Sequence, residues 1–295
     1  MRTDEWGPLQ ASGRYQTLDL LRGFALFGVL MVNLLTFFRV SLFENIVNPH
    51  THPGWANYAV DDVMAAVLEF KAFELFSLTF GIGVAVQAER ARQRGVNAEA
   101  FLARRFLILF VFGVAHLVLV SNVDILTMYA LCGLVLILFL RLPAAALGIA
   151  GLAAIYLPSA LPLGDVLPPQ SVMQAHAASA TQVYSHAGFM SILLFRWNET
   201  KEVIAPLLAS VAQRSLGLMM VGMALWRAGV VREPGRFRRV LWVVCLGAGL
   251  VGVLSGSSVP LAFAYAAALM AWRRSERVAR VLSPVAAAGQ MALTN

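Results

Sequence analysis

Eight stretches of this chain are apolar over close to the roughly 20 residues that an α-helix needs to cross a hydrocarbon layer about 30 Å thick. They run approximately over 18–38, 70–88, 105–121, 123–140, 143–163, 203–226, 239–256 and 258–272. In hydrocarbon each unpaired backbone N–H or C=O costs several kcal/mol, and a helix of this length pairs them within the stretch. The expected fold is therefore an all-α, polytopic membrane helix bundle, a single transmembrane domain over 1–295 with about eight transmembrane helices. The second run is the least regular, since Glu69, Lys71 and Glu74 lie at its start, and the last is short and opens near Pro260.

Charge distribution gives an orientation. The chain is 59% hydrophobic and 13% charged, with mean hydropathy +0.72 and a net charge of +7. All its basic residues except Lys71 and Lys201 are arginines, and they cluster beside apolar runs, which is the pattern of membrane orientation and not of nucleic-acid binding. Segments 89–105 and 227–239 hold five arginines each and 273–280 holds four, whereas 39–69, 164–202 and the turn at 255–258 hold only Arg39, Arg196 and Lys201 between them. Eight crossings put all three arginine-rich segments on one side, so both termini are expected in the cytoplasm. The first 16 residues lack the apolar core of a signal peptide, and the first span is expected to direct insertion. Cys132 and Cys245 fall inside apolar runs, without metal-ligand spacing, and His50 and His52 have no partner at such spacing, so neither disulfide nor metal is expected. The ending AAAGQMALTN reads as the start of a further helix, and the chain is expected to be C-terminally truncated.

Ionisable groups at membrane depth are expensive and are functional candidates by default. Towards the outer side lie Asn33, Glu69, Lys71, Glu74, His116, Asn122, Asp124 and Tyr129, a set that can line one outward-facing cavity. Spans three and four form a hairpin turning near Ser121 and Asn122, so His116 and Asp124 sit at matched depth, within reach of a hydrogen bond. Either the carboxylate orients the imidazole as a general base, or the pair is a polar clasp between two helices. Lys71 and Glu74, three residues apart, are expected to pair with each other. Arg214, in the middle of span six, is expected as a buried interior anchor. On the cytoplasmic side Asp19 and Arg22 are a second pair at this spacing, and Arg104 and Arg105 open span three. These arginines either snorkel to headgroups or hold a phosphate-bearing donor. FGIG at 80–83 is read as a close-packing signature.

Four segments resemble the YeiB-like bacterial membrane family, formally a domain of unknown function: TLDLLRGFALFGVLMVN at 17–33, KAFELFSLTFGIGVAVQAER at 71–90, FLARRFLILFVFGVAHLVLVSNVDILTMYALCGL at 101–134 and SLGLMMVGMALWRAG at 215–229. The tail GQMALTN is similar to a family motif that has arginine at the position of Gln290, and Val123 stands where the family usually has glycine. The resemblance implies a multi-pass protein of the bacterial cytoplasmic (inner) membrane. The first motif also looks like the opening of multipass acyltransferases, among them the heparan-glucosaminide N-acetyltransferase relatives. That likeness implies transfer of an acyl group from a cytoplasmic acyl-thioester donor such as acyl-coenzyme A to an acceptor at the outer face. Arg22, Arg104 and Arg105 would then hold the donor phosphates, and His116 and Asp124 would be catalytic. Asn33, Lys71, Glu74, Asn122, Tyr129 and Arg214 would line the substrate cavity. No tightly bound cofactor, metal or nucleic-acid partner is expected. The alternatives are a transporter or lipid translocase without covalent chemistry, and a non-catalytic membrane scaffold.

Overall fold

The computed structural model describes residues 15–37, 42–47, 54–120, 124–157, 168–201, 205–272 and 282–290. Every regular element among them is a helix: α1 (Gln16–Phe37), α2 (Leu42–Val47), α3 (Trp55–Val67), α4 (Lys71–Gln93), α5 (Ala98–Leu119), α6 (Leu126–Ile137), α7 (Ala144–Tyr156), α8 (Gln170–His186), α9 (Phe189–Glu199), α10 (Ala205–Arg227), α11 (Arg238–Ser255), α12 (Ser258–Trp272) and α13 (Ser283–Gln290). The eight apolar runs coincide with α1, α4, α5, α6, α7, α10, α11 and α12. Three helical stretches, Gln16–Leu34, Ala98–Leu119 and Arg238–Ser255, are long and apolar enough to cross a membrane, and α6, α7 and α12 are shorter apolar helices.

Local chemistry sets the helix ends. The Asn97 side chain accepts a hydrogen bond from Ala100 N at 2.9 Å and so satisfies one of the free donors at the start of α5. Gly256, in the left-handed region at φ 65°, ends α11 and lets the chain reverse into α12 within two residues.

The bundle is built around α10, which packs against α4 on one side and α7 on the other. Both contacts depend on absent side chains. A Cβ on Gly81 of α4 would overlap the Met219 carbonyl, and one on Gly222 of α10 would overlap the Leu78 carbonyl. Gly151 of α7 and Gly217 of α10 face each other in the same way, each with the other's carbonyl oxygen 2.6–2.7 Å from where its Cβ would stand. Small residues let helix backbones approach closely, which supplies the dispersion contacts that hold helices together where hydrocarbon removes the hydrophobic drive. Leu75, Leu78, Ile82, Leu218, Met219 and Met223 fill this junction and are almost wholly buried. Helices α1, α5, α6 and α12 surround it.

The outside of the bundle is apolar. Val111 and Phe112 on α5, Ile149 on α7, and Val243, Val253 and Leu254 on α11 are all exposed. Only 22% of the α5 stretch and 11% of the α11 stretch is buried inside the protein. Water does not tolerate an apolar surface of this extent on a monomer, and a lipid environment accounts for it.

The arginine-rich segments after α4 and after α10 meet at one end of the bundle. Trp226 Nε1 donates to Glu89 Oε2 at 2.7 Å, and Arg232 lies 3.5 Å from Glu89 Oε1. Arg92 donates to the Leu140 carbonyl at 3.2 Å, and Arg227 donates to the carbonyls of Leu140, at 2.6 Å, and Leu142. These cations satisfy carbonyls of the turn that joins α6 to α7.

The glycine contacts make a test with opposite signs. Alanine normally stabilises a helix interior by about 1 kcal/mol over glycine. Gly222→Ala should instead lower the melting temperature in detergent, since overpacking costs about 1–3 kcal/mol. Gly247→Ala on α11, where a Cβ meets nothing within 4 Å, should leave it unchanged or raise it. Equal responses would show that the α4–α10 approach is not close.

Candidate functional site

At the end of the bundle opposite the arginines, α5 and α6 run antiparallel and close together, because Gly113 leaves room for the backbone of Thr127. His116 lies in the last turn of α5, and Asp124 lies two residues before the start of α6. Asp124 is buried and fully engaged. Its Oδ1 accepts from Leu126 N at 3.2 Å and its Oδ2 from Thr127 N at 2.7 Å, so it caps α6. His116 Nδ1 stands 3.0 Å from the same Oδ1. A carboxylate can only accept, so Nδ1 is the donor, and in the neutral imidazole Nε2 then presents its lone pair. No hydrogen bond engages Nε2 among the described residues, and the His116 side chain is 34% exposed. The Thr127 hydroxyl beside the pair is buried and has no hydrogen-bond partner among the described residues. An imidazole fixed in one tautomer, with a free basic nitrogen facing outward, is chemically equipped to take a proton from a hydroxyl or amine.

A second polar cluster joins α4, α10 and α12. Glu74 is fully buried; Ser258 Oγ donates to its Oε1 at 2.6 Å, and Arg214 Nε lies 3.5 Å from the same oxygen. Glu74 Oε2 has no partner among the described residues. The expected Lys71–Glu74 pair does not form. Lys71 donates to the Ala65 carbonyl at 2.8 Å, because it opens α4 on the side facing α3, while Glu74 points inward to α10 and α12. Arg214 is half-buried against this carboxylate and is the interior anchor between helices. Tyr129 does not line an open cavity. It is buried, its hydroxyl 2.7 Å from Ser77 Oγ and donating to the Phe73 carbonyl at 3.2 Å, and its ring stacks on Phe76 at 5.4 Å.

The remaining candidates separate. Asn33 is exposed on the same face of α1 as Leu30 and Leu34, outside the bundle, so it does not join the outward-facing set. Asn122 lies outside the described residues. At the arginine-rich end Arg22 is buried against Gly83 of α4, where a Cβ would stand 2.9 Å from its guanidinium, with Asp19, Arg90 and Arg105 as charged neighbours. Arg105 is half-buried towards it, but Arg104, one helical position away, is exposed, so the two do not form one clamp. Within FGIG, Gly81 serves helix packing and Gly83 makes room for Arg22.

Helices α8 and α9 form a layer over the end of α5. Arg196 donates to the Leu119 carbonyl at 3.2 Å and to the Tyr184 hydroxyl at 3.4 Å, and its guanidinium lies over the Tyr184 ring at 5.4 Å. Burial pushes the Tyr184 phenol above its ordinary pKa, against the opposing hydrogen bond from Arg196. His176 Nε2 lies 3.3 Å from buried Glu199 Oε1, and the His176 ring packs edge-on to Phe43 at 5.2 Å. Ser258 and Glu199 were not legible as partners in the sequence. Ser258 falls in the turn at 255–258 and Glu199 in the long segment 164–202, and neither stands out there by residue type or spacing.

No family model matches the chain, and no solved structure matches it. It is 29% identical to "Uncharacterized protein YxaH" of Bacillus subtilis (strain 168) over an alignment of 323 positions covering 98% of this chain and 80% of that protein. It is 35% identical over 135 residues to "Uncharacterized 39.9 kDa protein in amylase 3'region" of Bacillus acidopullulyticus, an alignment covering 46% of this chain and 36% of that protein.

Proposed function

We propose that the chain is a YeiB-like, eight-span protein of the bacterial cytoplasmic membrane that transfers an acyl group from a cytoplasmic acyl-thioester to an acceptor at the outer face. The observation that carries this reading is the His116–Asp124 pair at 3.0 Å, with Nε2 free and the side chain part-exposed at the end opposite the arginines. In the reaction His116 Nε2 removes the proton of the acceptor hydroxyl or amine as its oxygen or nitrogen attacks the thioester carbonyl. The C–S bond breaks, and the imidazolium, stabilised by Asp124, returns the proton to the leaving thiolate. In this reading Arg22 and Arg105 would hold the donor phosphates. Arg105 and His116 both lie on α5, eleven residues and so about 17 Å apart along the axis at 1.5 Å per residue, and a donor held at Arg105 must reach the dyad through an extended arm.

The buried Glu74–Arg214–Ser258 cluster favours a second reading, a transporter or lipid translocase without covalent chemistry, because a charged group with an unused acceptor among packed helices is what a translocation path requires.

One variant separates base from clasp. His116→Gln should insert and fold normally yet lose a hundredfold or more of acyl transfer, the usual contribution of a general base. Full activity with only a melting temperature lowered by a few degrees would make His116 a clasp and sink the mechanism. Topology has its own test. In a background lacking Cys132 and Cys245, Val96→Cys should be protected from an impermeant thiol reagent in intact cells and Gln170→Cys should be labelled. Equal labelling of the two would overturn the orientation.

A further inference from the structure

At the arginine-rich end a cavity of about 300 Å³ opens between the start of α1, the end of α4 and the end of α10, lined by Tyr15, Glu89, Arg90, Gln93, Arg94 and Trp226. We propose that this cavity is a binding site for a phosphate-bearing anion, held by Arg90 and Arg94. The site is separate from the His116–Asp124 dyad and does not depend on acyl transfer.

Among the described lining residues, the charge points to an anion. Arg90, in the last turn of α4, and Arg94, the residue that ends it, both line this space. Glu89 is the cavity's carboxylate, and both its oxygens are already used: Oε2 accepts from Trp226 Nε1 at 2.7 Å and Oε1 faces Arg232 at 3.5 Å. Arg90, half-buried at the cavity wall, has no ion pair or hydrogen bond among the described residues. Behind it lie Arg22 and Arg105, with Asp19 as the neighbouring carboxylate. Gln93 adds an amide donor. Arginine forks match phosphate oxygens with paired, charge-assisted hydrogen bonds.

The walls also limit what can bind. The Trp226 ring is occupied, since Tyr15 packs edge-on to it at 4.7 Å and Arg232 lies over it at 5.0 Å. A volume at the lower limit of ligand pockets fits a phosphorylated headgroup or a small phosphorylated molecule, and not a whole lipid. Basic pockets between helices at a membrane surface take lipid phosphates by the same chemistry.

The test uses the full chain in nanodiscs and reads the melting temperature by tryptophan fluorescence. One arm titrates inorganic pyrophosphate into phosphatidylcholine discs; the other replaces a minor fraction of the lipid by phosphatidic acid. A ligand that binds only the folded protein raises the melting temperature. The expected result is a rise in at least one arm, an apparent affinity weakened roughly tenfold or more by Arg90→Gln, and no change with Arg239→Gln, an exposed arginine at the same end that does not line the cavity. A rise with pyrophosphate alone assigns the site to a soluble phosphate, and a rise with phosphatidic acid alone to a headgroup. No rise in either arm, or an Arg90→Gln response equal to that of the unmodified chain, overturns the proposal. Should Arg90→Gln not fold, Arg94→Gln is judged by the same criterion.

Discussion

The close approach of α4 and α7 to α10 is the contact on which the other features depend. Glycines at 81, 151, 217 and 222 allow backbone to lie against backbone on both sides of α10. In hydrocarbon, helices gain little from burying apolar side chains, because lipid is as apolar as leucine, and close packing takes over as the source of cohesion. With α10 seated this way, Arg214 reaches Glu74, and Trp226 and Arg232 reach Glu89, at opposite ends of the α4–α10 pair. A charged pair inside a bundle is poor evidence of net stability, since desolvation offsets its attraction, but leaving either charge alone would be far more costly. The pair therefore acts mainly as a register mark: sliding α10 by one residue along α4 would leave a buried carboxylate without its cation.

The His116–Asp124 pair illustrates how one carboxylate serves fold and chemistry together. Capping hydrogen bonds from Leu126 and Thr127 hold Asp124 in place before any histidine is considered. A cap of this kind is worth about 1 kcal/mol. The imidazole then meets a carboxylate already fixed in position, so it needs little further ordering to adopt a single tautomer. The layer formed by α8 and α9 adds to this, because Arg196 binds the carbonyl of Leu119, three residues beyond His116. Polar groups are thus concentrated at two levels of the bundle, the dyad end and the arginine-rich end, with α5 measuring the distance between them.

Much of this was legible in the sequence. Apolar runs of membrane length located eight of the helices, and the grouping of arginines in 89–105 and 227–239 anticipated that these segments share an end. The proximity of His116 and Asp124 was readable because it is local: a hairpin of consecutive helices matches depth by counting residues from the turn. FGIG was readable as packing chemistry because glycine inside a helix is costly unless something occupies the space it leaves.

Long-range partners were not legible, for a physical reason. A helix that is apolar all round has no polar face, so its sequence fixes that it is buried or in lipid but not which side meets which neighbour. Hence Lys71 was paired with Glu74 by local spacing, whereas the structure gives Glu74 to Arg214 and to Ser258, 184 residues away. Asn33 was placed inside and faces out, and Arg104 and Arg105 were treated as a unit although 100° of helical turn separates them. The cavity between Arg90 and Arg94 likewise exists only because α1, α4 and α10 converge there. From the sequence alone came the helical class, the helix positions and the charge asymmetry, because each is written in residue type and spacing along one dimension. Only the tertiary structure decided which polar groups meet, because that depends on how glycine-lined surfaces from distant parts of the chain dock.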